Sequence, residues 1–202
     1  MVAHLGPEGS DVHAVTCKRD ARTLLKMSNT TPTTTPQPET WMRGPIDGVD
    51  PMLMPVAHAL VQAREELERL AAEVPPEQVW LRPGGAASIG FHVRHLGAAL
   101  DRLFTYARGE RLSEEQKVAF RAEGEPGDPP AALADLVTES TAQIDRALDQ
   151  LRRTRPDELL AFRGVGRAQL PSNVLGLLFH AAEHSTRHTG QLITTAKILA
   201  AR

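Results

Sequence analysis

The chain has 202 residues, of which 41% are hydrophobic and 24% charged, and its formal net charge is −2. Such a composition suits one globular domain with room for a tail. It gives no support to a broad nucleic-acid-binding surface, which would need a marked excess of Lys and Arg.

Residues 1–50 differ from the rest. The stretch SNTTPTTTPQPET at 28–40 has little to bury and is expected to be disordered or extended. Residues 1–27 show no sustained periodicity. Residues 1–50 are therefore expected to be a loose arm, or the product of a start chosen upstream of the true one at Met27 or Met42. The N-terminus lacks the basic start and apolar core of a secretory signal, so a cytoplasmic location is expected. The single cysteine, Cys17, excludes an intrachain disulfide and reads as an incidental thiol.

From residue 51 onward the pattern is helical. The spacing of Leu53, Val56, Leu60, Leu67 and Leu70 predicts an amphipathic helix over 52–73, ended by VPPEQ. A second is predicted over 88–108, with Ser88 as N-cap behind the glycine-containing loop RPGGAASIG and with Ile89, Val93, Leu96, Leu100 and Leu103 as its apolar stripe. A short helical piece near 113–122 follows, broken by EGEPGDPP. A third long helix is predicted over 130–153 on Leu133, Leu136, Val137, Ile144, Leu148 and Leu151. The connection after it has Pro and Gly punctuation and room for one helical turn at 156–161.

A fourth long helix is predicted over 172–200, its start marked by Pro171 and Ser172 and its core face formed by Val174, Leu177, Leu178, Ala181, Leu192, Ile198 and Leu199. Its apolar run VLGLLF at 174–179 is far too short to cross a bilayer. Strand signals are weak throughout. The expected fold is all-α: a four-helix bundle over 51–202 with long connections after the second and third long helices.

The fourth helix carries HAAEHSTRHTGQ, which places His180, His184 and His188 at successive four-residue intervals. Residues so spaced lie one above the other on a helix face, with Cα atoms about 6 Å apart. Either neighbouring pair can reach one ion. His180 and His188, about 12 Å apart along the axis, would approach an ion from nearly opposite sides, which is poor geometry for a tetrahedral or facial centre. A third ligand should therefore come from another helix, and FHVRHLG on the second offers both His92 and His95. A metal also satisfies several imidazoles that would otherwise be expensive to bury.

Common alternatives fail on inspection. HSTRH lacks the Glu of a zincin, no paired Glu-x-x-His units are present for a di-iron bundle, and there is no Cys pair for a zinc finger.

SIGFHVRHLGAALDRL, followed far downstream by HAAEHSTRHTGQL, resembles the DinB/YfiT-like superfamily of metal-binding four-helix bundles. That family has a Ser-Ile-Gly-like opening to helix 2, a His before Leu or Ile about a turn later, and a C-terminal His-x-x-x-His-x-Gly-Gln. All three are found here in the right order and separation, over about 51–202. The resemblance implies a triad of His95, His184 and His188 around a divalent ion: zinc or nickel first, with iron or copper as alternatives. It places Gln191 one turn past His188, with His92 and His180 lining the site or supporting its ligands.

The same resemblance implies a metal-dependent thiol S-transferase, using a low-molecular-weight thiol such as bacillithiol or mycothiol on a small electrophile. Metal-dependent hydrolysis and non-catalytic, stress-associated metal binding are the alternatives. It also implies a homodimer and, despite the family's name, no nucleic-acid partner. Arg94 and Arg187 each adjoin an implied ligand and are candidates to bind an acidic thiol or substrate. Glu183, beside His184, is a weaker candidate base because adjacent helical positions point about 100° apart. Tyr106, the sole tyrosine, is expected to pack. Mild acid is expected to strip the ion, since histidine binds metal only when neutral.

Overall fold

The computed structural model describes residues 37–201. The arm expected over 1–50 thus lies mostly outside the described residues, and Cys17 lies wholly outside them. Residues 37–50 are described. Thr40 is buried and donates its hydroxyl to the His58 carbonyl at 2.8 Å, Arg43 pairs with both carboxylate oxygens of Glu65, and Val49 enters the core.

Five α-helices follow: α1 (Met54–Glu73), α2 (Ile89–Ala107), α3 (Glu114–Ala122), α4 (Leu133–Arg153) and α5 (Val174–Ala200). The four long ones form the bundle, and α3 is the short piece predicted near 113–122. The apolar stripes fall where the periodicity puts them. Leu60, Leu67, Ile89, Leu100, Ile144, Leu151, Leu178 and Leu192 are all essentially inaccessible to solvent. Ile198 departs from expectation: it is 46% exposed, and Leu199 takes the core position. No helix among the described residues is long and apolar enough to cross a membrane.

α2 packs chiefly on α5 and α4, and α1 packs on the same two from the opposite corner. His92 meets His188 and His95 meets His184, so α2 and α5 run antiparallel. Ser140 meets Val93 and Gln150 meets Phe104, so α2 and α4 run parallel. Parallel neighbours require the chain to travel back along about 28 Å of helix between them, and the connection that carries α3 does so.

The α2–α4 contact is close because Gly97 faces Ser140. A Cβ at Gly97 would lie 2.7 Å from the serine Oγ and 2.9 Å from its Cα. The hydroxyl donates to the Val93 carbonyl at 2.7 Å, which satisfies it in the core. Gly90 admits the Trp80 ring in the same way.

Two expectations need correction in the α4–α5 connection. The predicted turn appears as a 3-10 turn at Pro156–Glu158, but an antiparallel hairpin, β1 (Phe162–Val165) with β2 (Leu170–Asn173), follows it. Pro171 and Ser172 belong to β2, and the N-cap of α5 is Asn173, whose side chain accepts from the Gly176 amide at 2.7 Å. A hairpin with strands of four residues, edged by Leu170 and Phe162 in solvent, lacks the in–out alternation that would announce it.

Candidate metal centre

α2 begins where expected, with the Ser88 hydroxyl accepting from the Phe91 amide at 3.1 Å. Its buried stripe leaves His92 and His95 on the flank turned towards α5. α5 meets that flank with small residues. Ala181, Ser185 and Thr189 are buried, and the two hydroxyls are satisfied by carbonyls one turn back at 2.8 Å each. These short side chains leave room for imidazole rings between the helices.

Four histidines meet in that space. His95 Nε2 lies 2.9 Å from His184 Nε2, and His92 Nδ1 lies 3.0 Å from His188 Nδ1. The ring centroids of His95 and His188, and of His184 and His188, are 4.5 Å apart. His95, His184 and His188 each offer a nitrogen within 4.8 Å of the others. Phe91 stacks on the His95 ring at 5.1 Å between centroids and 16° between planes, and turns its edge to His92 and His188.

Burial favours the neutral form of His92, His184 and His188. Burial, and behind it the neighbouring His95, lowers His184 to about 4 and His188 to about 3. Burial and then His95 also lower His92. Neutral imidazole is the form that binds metal.

The hydrogen-bond pattern fits an ion. His95 Nδ1 donates to Glu123 Oε2 at 2.6 Å, because an ionised carboxylate can only accept. In a neutral ring that proton leaves a lone pair on Nε2, aimed at His184. If His184 Nε2 donates to it, His184 Nδ1 is left as a buried acceptor; that atom has no hydrogen-bond partner. If His184 also presents a lone pair, the two repel unless a cation lies between them. Two nitrogens bound to one ion at about 2.0–2.1 Å and about 90–110° apart stand roughly 2.9–3.4 Å from each other, the spacing found here. A donor set of three imidazoles suits a borderline divalent ion.

The remaining candidates separate. His92 is buried against His188 and can accept the proton of its Nδ1, which would free His188 Nε2. His180 stands on the exposed side of α5, its ring 5.5 Å from that of His184 and its Nδ1 3.5 Å from Glu183. Gln191 is exposed. Arg187 is exposed and bonded to Glu183, whose carboxyl it holds below the usual range. Arg94 is occupied elsewhere: it lies 4.9 Å over the Trp80 ring and donates to the carbonyls of Ala122 and Glu125. Tyr106 packs against the core, as expected.

Sequence reasoning missed Glu123, Phe91 and Arg102. Glu123 is 3% exposed, bridges His95 and Arg102, and also lines a cavity of about 760 Å³ between α2, α3 and α4. It sits in the stretch that reads as a helix breaker, and no periodicity marks it.

Residues 59–192, well over half of the chain and including every histidine of the cluster, match the family model described as the DinB superfamily. No curated protein matches the chain.

Proposed function

The chain belongs to the DinB superfamily, and on that premise we propose that it is a divalent-metal-dependent enzyme that joins a low-molecular-weight thiol to a small electrophile. In this reading His95, His184 and His188 hold the ion, with zinc or nickel the first candidates. The observation that carries the reading is the donor set: three imidazoles, His95, His184 and His188, whose nitrogens all lie within 4.8 Å of one another. Three protein ligands leave a position for a reactant, as in catalytic rather than structural zinc sites. A bound ion would supply positive charge that lowers the pKa of a thiol or water beside it.

The protein's own groups then have distinct tasks. Glu123 accepts from His95 Nδ1. His92 Nδ1 accepts a hydrogen bond from His188 Nδ1. Phe91 covers one flank of the cluster and keeps water from the His95 face. Arg187, on the exposed side of α5, offers a guanidinium to an acidic thiol as it passes the rim. Thiol chemistry of this kind suits a reducing compartment, in line with a cytoplasmic location.

The test is metal analysis by mass spectrometry of the untagged chain and of His184→Ala/His188→Ala, followed by thiol consumption with bacillithiol or mycothiol and an aromatic chloride acceptor. About one ion per chain, lost together with turnover in the double variant, is the expected result. An ion bound without turnover of either thiol would leave a non-catalytic metal-binding protein. No ion even after zinc and nickel are offered would remove the chemistry altogether.

A further inference from the structure

α3 is attached to the bundle in an unusual way: none of its side chains is fully buried. Val118 and Phe120 are each 56% exposed, so apolar burial does little to dock it. It is held by polar contacts to α2. Gln116 donates to Asp101 at 2.6 Å and to Thr105 at 3.0 Å, and Arg102 lies 4.6 Å over the Phe120 ring. Arg94 caps its C-terminal carbonyls. The last residue of this attachment, Glu123, is the one that is buried. Its two carboxylate oxygens are divided between Arg102 and His95.

We propose that Glu123 is a positioning residue, which fixes His95 with its proton on Nδ1 and its Nε2 lone pair turned into the histidine cluster, and so ties the docking of α3 to the assembly of the site. The proposal rests on the metal reading for its functional meaning, but not for its geometry. Arg102 neutralises the carboxylate from the other side, so Glu123 is buried as part of a pair rather than as a lone charge. The carboxylate orients the imidazole, the part an outer carboxylate plays behind a metal-binding histidine. Phe91 stacked on the opposite flank keeps the ring from turning away. Because Glu123 closes α3, any change that undocks α3 should loosen His95 as well.

The experiment compares the full wild-type chain with Glu123→Ala, Glu123→Gln and a control in the same cavity, Glu139→Gln. Three quantities are read: zinc affinity by competition with a chromophoric chelator, the His95 tautomer from ¹⁵N shifts of the metal-free chain, and the unfolding temperature. Glu123→Ala should bind zinc about 10–100-fold more weakly, the usual effect of losing such a partner, and His95 should lose its Nδ1–H preference. Glu123→Gln keeps an acceptor but not the charge, so it should retain the tautomer and recover most of the affinity. Glu139→Gln should change neither.

An unchanged tautomer in Glu123→Ala overturns the proposal whatever else moves. Zinc affinity within twofold of wild type overturns it too, even if the unfolding temperature drops, because Glu123 would then only brace Arg102. If wild type takes up no zinc, the metal reading fails on its own, and the tautomer alone decides the positioning role.

Discussion

Acidifying the metal-free chain from pH 6.5 to pH 5 should weaken its folding by roughly 1.5–3 kcal/mol through His184 and His188. In the folded chain these rings titrate at about 4 and about 3, against 6.5 for the reference imidazole. A folded pKa below the unfolded one means that unfolding takes up protons, so stability falls as pH falls through 6.5 and the loss levels off once the folded rings also protonate, near 4 to 3. At pH 5 an unfolded imidazole is almost wholly charged while these two remain almost wholly neutral. The difference approaches two protons. Integrated from pH 6.5 to 5, it amounts to about 3 kcal/mol if both rings are fully shielded. Both are only partly buried, and solvent screening reduces that by up to roughly half.

The assay is urea unfolding followed by far-ultraviolet circular dichroism, in chelator, at half-unit steps across that window. His184→Ala/His188→Ala should show a flatter profile, with a residual slope from His92, whose pKa burial also lowers. A wild-type profile that is flat over the window, or a slope equal in the double variant, would refute the reasoning. The same shifts bear on where acid is expected to strip an ion. Rings still neutral at pH 5 offer protons little foothold there, and release through His184 and His188 belongs nearer pH 4.

Two further outcomes are expected. Gly97→Ala should lower stability by about 1–3 kcal/mol, because the added carbon must push the Ser140 backbone away, and a urea midpoint shift measures it. Arg187→Ala should raise the KM for an acidic thiol several-fold with zinc affinity unchanged, since the side chain is exposed and is not among the clustered nitrogens; an equal loss in kcat alone would assign it another role.

The bundle was legible because each long helix repeats Leu, Ile or Val at helical spacing, and because Ser88 and VPPEQ punctuate it in the expected places. His95, His184 and His188 lie together as the resemblance implied, and the separation of His180 from His188 follows from helical rise alone. What could not be read depends on contacts made across the chain. Glu123 reaches His95 only because the α2–α4 connection folds back along α2. Arg94, which adjoins His95 in sequence, is drawn off to carbonyls at the end of α3. The hairpin at 162–173 was hidden by its brevity and by Gly164 and Pro171, which read as loop.

His95 and His184 are separated by 89 positions along the chain, and His92 and His188 by 96. Contacts at such separation close a large loop and are entropically among the last to become favourable. Until α5 has docked on α2, the chain can show a passing ion only histidines of a single helix, such as His180 with His184 or His184 with His188. If the cluster holds an ion, full affinity would therefore require α2 and α5 to have docked. Uptake of an ion would in this sense be a receipt for completed folding, and an ion that bound the closed form but not the open one would act as a latch on α5.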